Sequence, residues 1–171
     1  MTTTTLSFGQ TVSGGAKIML GLTDMLLDGI TQDTFGKKPE GVDCNSPAFI
    51  FGHLAIYPDM VIQMLGGDAK IDEKYEALFK HGVDCVDDPN NETYPPMDEI
   101  VDRFKTRFTA ALEALEKADT EAINKENPME SMRDRFPTVG GISEFLLNGH
   151  TAFHLGQLST WRRCMGLGHA M

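Results

Sequence analysis

Two histidines near the C-terminal end of the chain, His150 and His154, have a residue type and a spacing suited to metal chemistry. Residues four apart in an α-helix lie one above the other on the same face. Two imidazoles in this arrangement can bind one metal ion from neighbouring turns of the helix. The same face also carries Leu146, Phe153, Gln157 and Trp161. Because most of these side chains are apolar, we expect the face to point into the protein.

A third histidine, His53, lies in a separate apolar segment, beside Phe49 and Ile50. An imidazole in such surroundings needs polar partners for its ring nitrogens. A lone inward histidine is more often a hydrogen-bonded core residue than a ligand, and histidines four apart occur in helices for many reasons. The residues alone therefore leave two interpretations open, a metal site and a set of hydrogen-bonded core histidines. The remaining histidines, His81 and His169, lie in a loop-like stretch and in the tail, and we assign them no role.

Three neighbours of these histidines also have more than one interpretation. Gln157, one turn beyond His154, can hydrogen-bond a ligand or a bound water, although an ordinary interhelical hydrogen bond is the commoner role. Tyr57, one turn after His53, can donate to the site or lie in the core, as most buried tyrosines do. We expect Trp161 to lie in the core or in a dimer interface.

The cysteines and the two adjacent arginines carry less information about function. The three cysteines, Cys44, Cys85 and Cys164, are widely spaced and include no CxxC pair. A disulfide framework or a cysteine-based zinc site is therefore not expected, and each cysteine is interpreted as a small buried hydrophobe. We expect Arg162 and Arg163 to face solvent.

Four long segments with a helical period must position the histidines. The first runs from Val12 to Gln32. The second begins with the N-cap residue Ser46, followed by a proline, and ends at a pair of glycines. Pro58 lies inside this second helix, and we expect a kink there because the carbonyl of Leu54 loses its donor.

The other two helices complete a bundle with long connections. The third begins after a pair of prolines and carries an apolar stripe formed by Ile100, Phe104, Phe108, Ala111 and Leu115. The fourth runs from a cap near Thr138 to Met165. Residues 67–95 form a long connection with a short helix at 72–81, and residues 119–137 are polar and irregular. This organisation predicts an all-α fold, a four-helix bundle with at least one long connection, in a single domain over residues 1–171 with residues 1–6 disordered.

Composition and charge exclude several classes of protein. The chain has 171 residues, of which 41% are hydrophobic and 23% charged, as in an average globular domain. Its formal net charge of −10 argues against a nucleic-acid partner, because an acidic surface repels phosphates. The sequence contains no window of 18 uninterrupted apolar residues, so no membrane span is expected. The first residues lack the basic and apolar regions of a signal peptide. We therefore expect a cytoplasmic protein without a membrane or nucleic-acid partner.

Two segments of the chain resemble a known family. The segment SPAFIFGHLAIYPDMVIQMLGG is similar to the second helix of the DinB-like family, which carries one histidine in a GHL context. The segment NGHTAFHLGQLSTWRRCMGLG is similar to the last helix of that family, whose usual form is HxxxHxGQ followed by an arginine and an LG ending. The order of the helices matches over nearly the whole chain.

This resemblance implies a fold, a site and a cofactor. DinB-like proteins are four-helix bundles, often dimeric, in which three histidines hold a divalent metal and leave positions open for water. Carried over to this sequence, the ligands are His53, His150 and His154. Neutral imidazoles suit zinc, nickel, iron or copper, and three protein ligands with a vacancy are typical of a catalytic site. We expect zinc, nickel or iron as the cofactor, and a homodimer.

The resemblance also implies candidate activities on a small-molecule substrate. Some relatives are similar to transferases of a low-molecular-weight thiol such as glutathione, bacillithiol or mycothiol, in which the metal would lower the pKa of the sulfur. Others are considered hydrolases that use a metal-bound hydroxide. Since the sequence shows no inward glutamate to act as a general base, we rank thiol transfer first. A metal-dependent hydrolase, a non-catalytic stress-associated bundle that binds a metal or ligand, and a structural dimer with hydrogen-bonded histidines stay open as alternatives.

Overall fold

The computed structural model of the protein describes residues 5–170, in which the regular structure is helical. The helices are α1 (Phe8–Leu27), α2 (Gln32–Phe35), α3 (Pro47–Leu54), α4 (Tyr57–Met64), α5 (Glu73–Phe79), α6 (Met97–Lys117), α7 (Thr120–Asn124), α8 (Val139–Glu144) and α9 (His150–Cys164). A π-helical turn, Phe145–Gly149, joins α8 to α9, and a 3₁₀ turn, Glu130–Met132, lies in the connection before α8. Residues 1–4 of the segment expected to be disordered lie outside the described part, and residues 5–7 precede α1 without helical structure.

The four rods of a bundle are α1, the pair α3 and α4, α6, and the continuous rod from α8 through the π-helical turn to α9. Helix α6 packs against α1, α3 and α4, while α9 packs against α1 and α3. The apolar stripe predicted on α6 faces this core, since Ile100, Phe104 and Leu115 are fully buried. The all-α bundle with long connections is therefore confirmed. None of the helices within residues 5–170 combines the length and the apolar character that crossing a membrane requires.

Helix α1 begins and ends earlier than the hydrophobic period suggested. It begins at Phe8 because Ser7 and Gln10 form a capping box, in which each side chain bonds the other residue's backbone N–H. It ends at Leu27, and a separate short helix, α2, follows at residue 32. The turn between them contains Gly29 with a φ of +75°, a left-handed conformation that glycine adopts without strain.

The side chain of Arg162 stabilises this end of α1. Its Nη1 donates to the carbonyl of Leu26 at 2.8 Å and also to the carbonyl of Asp28. These carbonyls are among those that a helix leaves without a partner at its C-terminal end, where a positive charge is also favourable. Arg162 is only 3% exposed, so the expectation that it faces solvent is wrong, whereas Arg163 is exposed.

The second predicted helix is broken, not kinked. The side chain of Ser46 caps α3 as expected, accepting from the amide of Phe49, but α3 ends at Leu54 and α4 begins at Tyr57. Pro58 lies in the first turn of α4, where the missing N–H has no helical partner to lose. The chain therefore restarts a helix at the proline, and the sequence analysis treated this break as a bend.

The long connection over residues 67–95 packs against the bundle beside α3. Its short helix, α5, is capped by Asp72 and inserts Phe79, which is fully buried, against Gly52 of α3. Further along, the carboxylate of Asp88 accepts from three consecutive amides and so fixes the loop at residues 92–94. This layer of chain is tied to the helix that carries His53.

Two glycines of α1 provide a matched test of this packing. A methyl group at Gly9 would lie 2.1 Å from the carbonyl oxygen of Leu115, whereas one at Gly14 meets no atom of residues 5–170 within 4 Å. We expect Gly9→Ala to destabilise the fold by about 1–3 kcal/mol through overpacking. Gly14→Ala should instead stabilise it by roughly 0.5–1 kcal/mol, since alanine is the better helix former.

The free energy of unfolding in urea measures both effects. Equal stabilities of the two variants would show that α1 does not approach the backbone of α6 as closely as described.

Candidate metal centre

The three histidines that the sequence singled out converge on one point. His53 extends from the last turn of α3, whereas His150 and His154 lie on the first two turns of α9. The Nε2 atom of His150 lies 3.3 Å from Nε2 of His53 and 3.1 Å from Nε2 of His154. One ligand atom from each residue lies within 4.8 Å of the others, and this set is a candidate metal site within the described residues.

The spacing of these nitrogens fits a transition-metal ion. A zinc ion with Zn–N bonds of 2.0–2.1 Å and tetrahedral angles separates its nitrogen ligands by about 3.3 Å. The two Nε2 separations of 3.1 and 3.3 Å are close to that value. A tetrahedral or similarly compact coordination shell therefore needs little movement of these side chains.

Two of the imidazoles are held in the tautomer that leaves Nε2 free to bind a metal. Nδ1 of His53 lies 2.6 Å from the carbonyl oxygen of Phe79, which can only accept, so Nδ1 carries the proton. Nδ1 of His154 lies 3.0 Å from Oε1 of Gln157. The same oxygen also accepts a hydrogen bond from the side-chain Nδ2 of Asn45 at 3.3 Å. The hydrogen bonds thus assign a proton to Nδ1 and a lone pair to Nε2 in both rings. Metal-binding histidines in proteins commonly have this kind of partner on the second nitrogen.

The environment also keeps the three rings neutral. Burial, together with the neighbouring charges of His154 and His53, lowers the pKa of His150 to about 3. Burial and the charge of His53 lower the pKa of His154 to about 4, and burial likewise lowers the pKa of His53. Neutral imidazole is the form that binds a metal, so near neutral pH no proton competes for the site.

Tyr57 is the only hydroxyl within the described residues that contacts these rings by hydrogen bonding. Its oxygen lies 3.3 Å from Nε2 of His53. Burial raises the pKa of Tyr57 to about 12, so the phenol keeps its proton and acts as a donor. The sequence left two interpretations of Tyr57 open, a donor to the site and a core residue, and the structure supports the donor beside the site. For Gln157 it supports a bond to His154 on the same helix, not the interhelical bond that sequence reasoning favoured.

The π-helical turn directly before His150 orients the histidine pair. Such a turn inserts one residue relative to an α-helix, which changes the face that the following residues occupy. Asn148 in this turn donates to the carbonyl of Val12 at 3.2 Å, and Thr151 donates to the carbonyl of Leu146 at 3.1 Å. These bonds attach the turn to α1 and satisfy a carbonyl within it. The sequence analysis treated this segment as uninterrupted α-helix and missed the turn.

The inward face of α9 is narrower than the sequence analysis expected. Leu146 and Trp161 are buried, and Trp161 donates to the carbonyl of Lys37, so it is a core residue. Phe153, expected to point inward with them, is 64% exposed, and His150 is only half-buried. The expectation for Phe153 is wrong because one side of this face opens onto a pocket.

The pocket has a volume of about 880 Å³, and the three histidines lie in its wall. Residues 80–85 form a second wall, residues of the loop before α3 form a third, and Phe49, Phe145 and Phe153 supply apolar surface. Sequence reasoning missed the contributions of Asn45, His81 and the Phe79 carbonyl. All three lie in loops or at a helix end, where no hydrophobic period identifies the residues that face a site.

The cysteines are free thiols in the described residues, as expected, but they are not buried hydrophobes. Cys44 and Cys85 are half-buried and Cys164 is exposed. Cys85 lines the pocket and accepts from the amide of Ser46 at 3.3 Å.

The comparison with protein families agrees with the geometry. The family model of the DinB superfamily matches residues 18–158, a range that contains all three histidines. The comparison with curated proteins gives no match.

The hydrogen bond from His154 to Gln157 predicts a measurable effect on metal affinity. Gln157→Leu removes the acceptor that fixes the His154 ring, and we expect the affinity for zinc to fall about 10–100-fold. Competition with a chromogenic chelator measures this affinity. Thr160→Ala, an exposed substitution on the same helix, is the control and should leave the affinity unchanged.

Equal zinc affinities of the Gln157→Leu and Thr160→Ala variants would contradict the assignment of Gln157 as the partner of a metal ligand.

Proposed function

The chain belongs to the DinB superfamily, and on that premise we propose that it is a divalent-metal-dependent enzyme that transfers a low-molecular-weight thiol to a small electrophile. The observation that carries this proposal is the position of the three-histidine cluster in the wall of a large pocket. Structural zinc sites are usually closed by four protein ligands, whereas catalytic sites use three and leave a position for substrate. Zinc, nickel or iron suits the imidazole ligands.

A metal held by His53, His150 and His154 would supply Lewis acidity, which lowers the pKa of a thiol or water that binds to it. The other residues hold the ligands and shape the pocket. The Phe79 carbonyl and the Gln157 amide orient two of the rings. The hydroxyl of Tyr57 keeps its proton and lies 3.3 Å from Nε2 of His53.

The surface of the pocket suits a substrate with both apolar and charged groups. Phe153 is exposed beside His154, with ring centroids 5.3 Å apart, and can contact the apolar part of an electrophile. Lys80, in the wall formed by residues 80–85, can attract a carboxylate or another anion. Charged and apolar groups are combined in the conjugates that a thiol such as glutathione forms.

Thiol transfer is favoured over hydrolysis by the absence of a carboxylate base among the described residues that contact the histidines. The acidic side chains in the pocket wall are Asp43 and Asp84. Asp43 forms an ion pair with Lys38 at 2.8 Å, and this hydrogen bond lowers the pKa of the Asp43 carboxyl, making it a weaker base. Attack by a thiolate requires less proton transfer than attack by water. A hydrolase and a non-catalytic metal- or ligand-binding bundle are the alternatives that the following experiment separates from thiol transfer.

We expect zinc-, nickel- or iron-loaded protein to consume glutathione, bacillithiol or mycothiol in the presence of an electrophile and to form the thioether. Chelated protein and His53→Asn should lose this activity, because the site lacks metal or one of its ligands. Mass spectrometry of the products and colorimetric measurement of the remaining thiol give the rate. Ester or amide cleavage without thiol consumption would support the hydrolase. Metal binding without either reaction would support the non-catalytic bundle.

The homodimer that the resemblance implies stays a prediction. Light scattering of the purified protein should give about twice the chain mass of 18.8 kDa. Exposed Ile18 and Met25, seven residues apart on α1, are candidate contacts for a second copy, and Ile18→Glu should then produce monomers. A mass of one chain for the unaltered protein would contradict the prediction.

A further inference from the structure

One wall of the pocket is a single run of consecutive residues, 80–85, which follows the C-terminal end of α5. It contains His81, an exposed histidine to which the sequence analysis assigned no role. The imidazole of His81 is in the same pocket as the three clustered histidines but does not belong to their cluster. It is therefore a fourth imidazole beside the candidate metal centre.

The backbone holds His81 at this position through a tight turn. The amide of Val83 donates to the carbonyl of Lys80 at 3.1 Å, so His81 and Gly82 are the central residues of the turn. Gly82 has a φ of +87°, as the third position of a type II turn requires. The turn begins one residue after Phe79, whose carbonyl accepts the hydrogen bond from His53. His81 thus lies two residues after Phe79, whose carbonyl orients the candidate metal ligand His53.

The other end of the wall is also fixed. The thiol of Cys85 accepts from the amide of Ser46, and the amide of Val86 donates to the hydroxyl of Tyr94 at 2.8 Å. The wall is therefore fixed by hydrogen bonds on both sides of His81.

The other ionisable groups facing the pocket are less suited to accepting a proton and returning it. Lys38 and Asp43 are engaged in their ion pair, and the hydrogen bond that Lys38 donates to Asp43 raises the pKa of Lys38. The lysine at the start of the turn, Lys80, offers hydrogen-bond donors and no acceptor, and Asp84 is an exposed carboxylate. The thiol of Cys85 is occupied with the Ser46 amide.

The three clustered imidazoles line the same pocket from α3 and α9, but their Nε2 lone pairs are committed to the metal in the proposed function. A neutral imidazole outside that cluster keeps one ring nitrogen whose lone pair can accept a proton. Among the described residues lining the pocket, His81 alone meets this requirement while belonging neither to the cluster nor to an ion pair.

We propose that His81 is the proton-transfer residue of this site. The inference rests on the proposed thiol-transfer function. The S–H bond of the thiol breaks, and its proton moves to the free ring nitrogen of His81, which becomes an imidazolium. The sulfur electron pair then forms a C–S bond with the electrophile. If the electrophile carries a leaving group, that group departs with its bonding electron pair. If the thiolate instead adds to an unsaturated carbon, the negative charge passes to the activating group of the electrophile. In either case the resulting anion takes the proton back from His81. The negative thiolate stabilises the imidazolium while both exist.

Proton counting during thiol binding tests this role without measuring turnover. Zinc-loaded protein, His81→Gln and the control His169→Gln are titrated calorimetrically with glutathione, bacillithiol and mycothiol at pH 7.5, in buffers of different ionisation heat. At this pH an ordinary thiol is mostly protonated, so forming its thiolate liberates about one proton. The unaltered protein and His169→Gln should release well under one proton per thiol, because His81 retains it. His81→Gln should release about one to the buffer.

Metal content and kinetics complete the test. His81→Gln should retain the zinc content of the unaltered protein, show a kcat about 10²–10⁴-fold lower with little change in KM, and regain rate when imidazole is added. A residue with a purely structural role would not produce rescue by imidazole. Equal proton release from the unaltered protein and His81→Gln overturns the proposal for His81 while leaving thiol transfer intact. Absence of heat with every thiol, in the unaltered protein as well, refutes the thiol-transfer function itself and the role of His81 with it.

Discussion

The candidate site depends on three imidazoles, two buried and one half-buried, whose Nε2 atoms converge on one point. Burial favours the neutral rings, and Nε2 of His150 lies 3.1 and 3.3 Å from the Nε2 atoms of His154 and His53. His150 can supply at most one proton to two neighbouring lone pairs, so the apo cluster relies on a hydrogen bond from Tyr57 as well. One metal ion satisfies all three lone pairs together. The arrangement could therefore hold one metal ion, and the rest of the bundle maintains it.

Several local features of the fold bring the rings to this point. The side chain of Ser46 caps the beginning of α3, which carries His53. The break between α3 and α4 places Pro58 in the first turn of α4 and not in the interior of a helix. On the opposite rod, the π-helical turn changes the face of the helix directly before His150 and is attached to α1 through Asn148. The connection after α4 is not simply an excursion over the surface. It inserts Phe79 beneath α3, and the carbonyl of this residue orients His53 while the following turn forms a wall of the pocket.

The sequence predicted the parts of this account that depend on periodicity. The stripe on α6, the cap at Thr138 and the pairing of His150 with His154 follow from residue spacing along helices, which neighbouring structure does not alter. Contact between His53 and that pair required the resemblance to a family, because spacing does not show which helices touch. The π-helical turn, the burial of Arg162 and the position of His81 were missed. Each depends on tertiary contacts or on loop backbone, for which a hydrophobic pattern contains no signal.

Metal content tests the central claim most directly. Tag-free protein is reconstituted with zinc, nickel or iron, desalted and measured by elemental analysis beside His154→Ala, with His169→Ala as a control outside the cluster. The account predicts about one metal ion per chain in the unaltered protein and in His169→Ala, and little in His154→Ala. Unaltered protein that stays free of all three metals after reconstitution would contradict the account and identify the three histidines as hydrogen-bonded residues of the bundle.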